Sequence, residues 1–182
     1  MARVLVLPLL AMCLSLSVCA QIGDSSETEK EIEWKLLDGD DYEIQYPLNW
    51  EIDKSGQMGM SFILLSVQTS PQDKFRENVN LLTQNLTGLN IDMDAFVKIS
   101  EEQVRAMFRG GKIYESKRLK RNGKSFHKLL YSGSQGSFLF KIQQYYWVEN
   151  EKAYVLTFTC EAAAFDAYIE TGDKIMNSFA LK

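Results

Sequence analysis

The sequence predicts an α+β domain with a central antiparallel sheet flanked by helices, and three patterns carry that prediction. Strand-like segments come first, then one helical stretch, four strand-like segments in succession and a closing helix. No helical stretch separates the four later strands, so short connections must reverse the chain and neighbouring strands must run antiparallel. Several strands are apolar on both faces, and two amphipathic helices are available to cover them. The simplest packing places helices, at least in part, on both sides of the sheet.

Taken in order, ordered structure is expected to begin near residues 32–37. Tyr42, Ile44 and Tyr46 alternate with polar residues as in a half-buried strand. Pro47-Leu48-Asn49 turns the chain, and Trp50 and Ile52 resume the alternation. Residues 61–67 hold Phe62, Ile63, Leu64 and Leu65, a run apolar on both faces. A further strand is expected over 75–82, with Asn78 and Asn80 on one face and Val79 and Leu81 on the other. The first helix is predicted over 92–108, capped by Asp92, with Phe96, Val97, Val104, Met107 and Phe108 on one stripe and Gly110-Gly111 ending it.

Asn122-Gly123 then marks a hairpin, because a type I′ turn needs positive φ at both central residues. A two-residue turn pairs Arg121 with Lys124, Leu119 with Phe126, Arg118 with His127, Lys117 with Lys128 and Tyr114 with Tyr131. The Lys117/Lys128 opposition is a cost that needs an explanation. Gly133-Ser134-Gln135-Gly136 reads as a turn, residues 138–148 as a strand apolar on both sides, 149–152 as a four-residue loop and 153–160 as the returning strand. The closing helix is predicted over 162–179, with Phe165, Tyr168, Ile169, Ile175, Met176 and Phe179 on its stripe and Gly172 as a place to bend.

Residues 1–20 read as a secretory signal peptide. Arg3 gives a positive start, an uncharged Leu-rich run follows, and Val18 and Ala20 stand before a cleavage site at Gln21. The run is shorter than the roughly 20 apolar residues of a membrane span and is interrupted by Pro8, Ser15 and Ser17. Leu16-Ser17-Val18-Cys19 also resembles a lipobox, which would lipidate Cys19 and tether the domain to a membrane; the bulk of Val18 favours cleavage after Ala20. Residues 21–31 read as a flexible leader and 32–182 as a single domain. The chain carries a net charge of −4 and loses one cation, Arg3, with the signal, so the mature form is acidic and a poor general binder of nucleic acid. Of three cysteines only Cys160 lies beyond the signal, so no internal disulfide holds the mature domain. Cys160 ends an apolar run and reads as a buried, inert thiol.

Four features in this order resemble the PsbP-like domain family, the fold shared by the photosystem II extrinsic protein PsbP, the Ran-binding Mog family and the DcrB-type bacterial envelope proteins. They are the turn Tyr46-Pro47-Leu48-Asn49-Trp50, the Asn-bearing segment Phe75-Arg76-Glu77-Asn78-Val79-Asn80, the strand Tyr154-Val155-Leu156-Thr157-Phe158 and the ending Asn177-Ser178-Phe179. The match spans residues 42–179. The resemblance implies an αβα sandwich, no catalytic residues, no cofactor and a role in binding or assisting protein partners.

Among candidate sites, the densest charge cluster is Lys117, Arg118, Lys120, Arg121, Lys124 and Lys128 with His127. It is expected either to dock an acidic partner or anionic surface, or to be a solvated hairpin whose lysines discourage edge pairing. His127 is the one histidine and has no second ligand at metal spacing. Glu77, Asn78 and Asn80 read as a polar recognition site or as structural amides. Asp38, Asp40 and Asp41 around Gly39 lack the Glu that closes a calcium loop of about 12 residues. Asn85-Leu86-Thr87 is a glycosylation sequon, relevant only in a eukaryotic secretory pathway. The expectation is a secreted or periplasmic non-enzymatic domain that binds an unidentified protein partner. The alternatives are a lipoprotein of the same fold, and a hydrolase or ligand-binding protein with a pocket between sheet and helix.

Overall fold

The computed structural model describes residues 32–108 and 111–182. Ten strands and two helices follow in the order β1 (Trp34–Asp38), β2 (Tyr42–Pro47), β3 (Glu51–Asp53), β4 (Met60–Leu65), β5 (Asn78–Asn85), α1 (Met93–Met107), β6 (Lys112–Arg121), β7 (Lys124–Gln135), β8 (Phe138–Glu149), β9 (Lys152–Glu161), α2 (Phe165–Ser178) and β10 (Ala180–Leu181). Seven strands form the main sheet in the order β3-β4-β5-β9-β8-β7-β6, and three form a small one, β1-β2-β10. Every pair is antiparallel. Residues 1–31, where the signal peptide, the leader and Cys19 as a lipidation site are expected, lie outside the described residues, as does Gly110.

Strand alternation sorts the side chains into two cores. On one face Leu129, Tyr131, Phe140, Ile142, Tyr146 and Val155 pack beneath Phe96, Val97 and Val104 of α1. On the other, Val79, Leu81, Phe126, Tyr145, Trp147, Leu156 and Phe158 meet Phe165, Ile175 and Met176 of α2 together with Leu37, Ile44 and Tyr46 of the small sheet. The predicted sandwich is present, but its second cover is built from two pieces. The small sheet and β10 were not foreseen, because two residues after a helix carry no strand pattern. β10 zips onto β2 through Ala180↔Glu43 and Leu181↔Tyr42.

Asp92 caps α1 as expected, its Oδ1 accepting from Ala95 N–H at 2.8 Å. Met107 is a correction: it is exposed at the last turn rather than part of the stripe. The expected strand over 75–82 begins instead at Asn78, since Phe75 N–H bonds the Asp73 carboxylate and holds the preceding residues in a loop. It extends to Asn85 because polar Thr83 and Gln84 pair with Tyr154 and Ala153 of β9.

The Asn122-Gly123 turn has φ of 49° and 80°, and the predicted register holds from Arg121↔Lys124 to Lys117↔Lys128. Tyr114 is the exception. A bulge between Ile113 and Glu115 gives Tyr131 to Ile113 and turns Tyr114 outward. Residues 149–152 close more tightly than expected, since Glu149 pairs with Lys152 and only Asn150 and Glu151, both at positive φ, make the turn.

Gly133 is not in a turn. It sits in β7 opposite Phe140, and a Cβ there would lie 2.2 Å from Phe108 Cδ1. Gly172 likewise faces Phe158, whose Cε1 is 2.6 Å from where its Cβ would stand, so close packing accounts for the glycine that the sequence suggested as a bend. Gly133→Ala is expected to destabilise the domain by about 1–3 kcal/mol through overpacking. Equilibrium denaturant unfolding checks this, and a smaller cost in a Phe108→Leu background would assign the loss to that ring.

Candidate functional site

The basic cluster is divided by strand alternation. Arg118 and His127 face α1, and Lys120 falls on the same side by register. Lys117, Arg121, Lys124 and Lys128 belong to the side of Leu119 and Phe126. The Lys117/Lys128 opposition has an internal answer. Glu115, next on that face, takes Lys117 on one carboxylate oxygen and Lys128 on the other, the latter at 2.9 Å. Arg118 pairs with Asp94 of α1, and Lys124 with Glu149 at 3.0 Å. Arg121 lies over the Phe126 ring at 5.0 Å and donates to Asn177 O at 2.9 Å, complementing the negative end of α2. These cations thus largely serve the fold, and Lys120 remains directed to solvent.

His127 is buried between Ser116 and Tyr146. Its Nε2 bonds Ser116 Oγ at 2.8 Å, and Ser116 bonds Glu101 of α1. Burial, then the Arg118 charge, pushes the imidazole pKa down. In this chain of bonds the hydroxyl, not the imidazole, holds the carboxylate, which is the reverse of a nucleophile-activating triad.

Asp38 and Asp41 are ion-paired to Lys182 and Lys152 at the edge of a cavity of about 320 Å³. Asn85 is exposed, with its Oδ1 accepting from Thr87 N–H at 2.8 Å. Asn78 and Asn80 are buried, with Asn78 Nδ2 donating to Arg76 O and Asn80 Nδ2 to Asn78 Oδ1. Glu77 stands on the opposite face, so the three do not form one site.

Glu77 leads instead to a groove. The groove has a volume of about 200 Å³ and runs between the small sheet and α2. Pro47, Asn49 and Trp50 supply one wall, Ser66, Val67 and Thr69 after β4 the floor, and Ala167, Tyr168 and Thr171 of α2 the other wall, with Ile32 at the mouth. None of these lining residues is charged. Behind Ser66 lies the buried Glu77 carboxyl, which accepts from Ser66 Oγ at 3.3 Å and from the Cys160 thiol at 3.7 Å. Desolvation raises the Glu77 pKa, and the nearby Asp73 charge adds to it. The Cys160 thiol is pushed far up by the same burial and by Glu77, and so stays protonated.

The sequence offered a pocket between sheet and helix only as an alternative and singled out none of these lining residues as a site. The one local signal was the Pro47–Trp50 turn, whose geometric neighbours are far away in the chain.

No family model and no curated protein matches the chain. Solved structures do. The cyanobacterial PsbP (CyanoP) of Synechocystis sp. PCC 6803 is 13% identical, with a TM-score of 0.60 over 87% of this chain and 98% of that one. The chain has a PsbP-like fold. LpqN of Mycobacterium tuberculosis, described as involved in cell envelope biogenesis, superposes with a TM-score of 0.61 at 13% identity over 85% of this chain and 93% of its own. PA94 of Pseudomonas aeruginosa, a protein of unknown function, gives 0.56 at 12% identity over 80% and 94%. Within this PsbP-like domain, among the described residues, no helix is long and apolar enough to cross a membrane.

Glu77 generates a prediction whose sign runs against intuition. Its folded pKa is raised, so its contribution to stability is fully present below the unfolded value of 4.5 and is lost as pH rises through the folded value. Glu77→Gln is therefore expected to raise the melting temperature at pH 7 and to leave it unchanged at pH 4, as read by circular dichroism melts across that range.

Proposed function

We propose that this PsbP-like domain is a non-enzymatic, extracytoplasmic module that docks a protein partner at the groove between the small sheet and α2. The observation that carries this reading is the rim. Ile32 and Val67 line the groove while remaining 51% and 47% exposed, and Leu48 in the adjoining turn is 44% exposed. Apolar side chains gathered around a concavity fit a contact made on binding better than a solvated loop. The signal-like residues 1–20 support the compartment, and the envelope role named for LpqN is in keeping with it. The basic hairpin ranks second as a docking surface, because Glu115, Asp94 and Glu149 already hold most of its cations.

Site-specific photocrosslinking in the native host separates the two surfaces. A crosslinker at Val67 is expected to capture a discrete protein adduct and one at Lys120 none; the reverse pattern would restore the hairpin.

The lipid-anchored form is a second reading, favoured by Leu16-Ser17-Val18-Cys19. The intact mass of protein purified from its own host is expected to correspond to a chain starting at Gln21. A diacyl or triacyl mass on Cys19 would make the domain membrane-tethered and would direct the crosslinking to envelope fractions.

A further inference from the structure

The sheet face opposite the groove carries the one histidine of the chain, and the bonds around it fix where its proton sits. Ser116 Oγ donates to the Glu101 carboxylate of α1, and that bond first, with help from Arg105, holds the Glu101 pKa down. A hydroxyl has a single proton, so Ser116 can only accept from His127, whose Nε2 stands 2.8 Å away. The neutral imidazole therefore carries its proton on Nε2 and leaves Nδ1 as a bare lone pair. Nδ1 is buried and has no partner among the described residues.

Of the layers that meet at this ring, α1 is the one held by side chains. Arg118 and Tyr146 flank His127 within the hydrogen-bonded ladder of the sheet. Above it, Glu101 reaches Ser116, Asp94 reaches Arg118, and Phe96 packs edge-on against Tyr146 with ring centres 5.5 Å apart. The helix also covers a second buried polar atom without a partner, the hydroxyl of Tyr131, whose ring packs against Phe108 at the end of α1.

We propose that His127 is a proton-operated latch for α1: with one proton the imidazole holds Ser116 and through it Glu101, and a second proton, taken on Nδ1, releases the helix from the sheet. The imidazolium places a charge and an unpaired N–H donor in the core, and both are relieved when the helix lifts and water reaches the ring. The groups that face the ring do not offset this cost. Asp94 and Glu101 attract the imidazolium from α1, but the first is paired with Arg118 and the second with Ser116 and, at 2.9 Å, with Arg105. Lys98, between them on the helix, is exposed. Arg118 of β6 repels the added charge. Tyr146 of β8 and Tyr131 of β7 are neutral, because burial pushes both hydroxyl pKa values far up. Burial first, and then Arg118, accordingly holds the imidazole pKa below its usual 6.5. For a depressed pKa the stabilising contribution is fully present above the unfolded value and is lost as pH falls through the folded one. Release uncovers the apolar surface of Tyr131, Ile142 and Tyr146. The latch lies across the sheet from the groove and does not depend on docking there.

The test is hydrogen–deuterium exchange of the untagged protein at about pH 7 and about pH 5.5, corrected for the intrinsic effect of pH on exchange. Glu101 stays ionised throughout this window. Protection of the amides over 96–104 is expected to fall severalfold in acid, bounded at about tenfold by an imidazole that titrates near its ordinary value once the helix is open. Amides of α2 are expected to keep their protection. Glu77 does not mimic the effect: its pKa is raised, so gaining a proton tightens the fold, and it lies on the α2 side. His127→Gln offers Ser116 the same donor but takes no second proton, and should give α1 equal protection at both pH values. The Cε1 proton signal of His127, unambiguous in a chain with one histidine, gives a second readout that needs no variant, and its midpoint should lie below 6.5. Unchanged α1 protection in acid, equal losses in α1 and α2, a pH dependence that survives in folded His127→Gln, or a midpoint at or above 6.5 would each overturn the inference.

Discussion

The seven-stranded sheet must be covered on both faces, and the rest of the structure follows from how the chain meets that demand. β8 and β9 carry large side chains to both sides: Tyr146 and Val155 to one, Tyr145, Trp147, Leu156 and Phe158 to the other. A polar face would be satisfied by water, whereas these faces each require a second layer. A single amphipathic helix, α1, suffices for one of them. The other is broader and takes two covers, α2 and the small sheet, which β10 binds together by pairing with β2 immediately after α2 ends. Phe179, between α2 and β10, packs tilted against Trp147 at 4.9 Å and stacks on Tyr42 at 5.8 Å, so the joint between the covers is itself part of the core. The groove opens at the far end of that seam, where the Pro47–Trp50 turn and α2 diverge over the end of β4.

Charge is handled by the same economy of neighbours. The hairpin of β6 and β7 forms one edge of the main sheet, and its lysines would repel one another across the strands. Glu115 bridges Lys117 and Lys128 on one face, and Asp94 and Glu101 reach from α1 to Arg118 and Ser116 on the other. Exposed pairs of this kind contribute about 0–1 kcal/mol each. Their effect is to orient α1 and neutralise the edge more than to stabilise the domain. At the groove the arrangement is inverted: one carboxyl, that of Glu77, lies beneath the buried Ser66 and behind uncharged walls.

Local patterns were legible in the sequence. The Asn122-Gly123 turn set the hairpin register, Asp92 set the start of α1, and the alternation of β8 and β9 identified both cores. What was hidden depended on partners distant in the chain. Tyr114 alternates correctly, but the bulge that displaces it is visible only once β7 lies alongside. Gly133 reads as a turn residue until Phe108 is seen packed upon it. Phe75, Arg76 and Glu77 read as strand, while Asp73 and Ser66 hold them as a loop that delivers Glu77 to Cys160. The groove joins residues near 47, 67 and 168, and no window of sequence contains them together. The order of four short motifs nevertheless anticipated the PsbP-like fold, because that order reflects the whole topology.

The ionisation of Glu77 tests the central claim most directly, since a buried carboxyl behind a hydroxyl floor is what distinguishes this groove from an ordinary surface cleft. Its side-chain carboxyl carbon can be followed by nuclear magnetic resonance as pH is varied, with Glu77→Gln assigning the signal. The structure predicts a midpoint above the ordinary 4.5, because desolvation outweighs the hydrogen bonds it accepts. A midpoint at 4.5 would mean a solvated carboxylate, and one below it a carboxylate whose hydrogen-bond donors outweigh its burial; either would contradict the account.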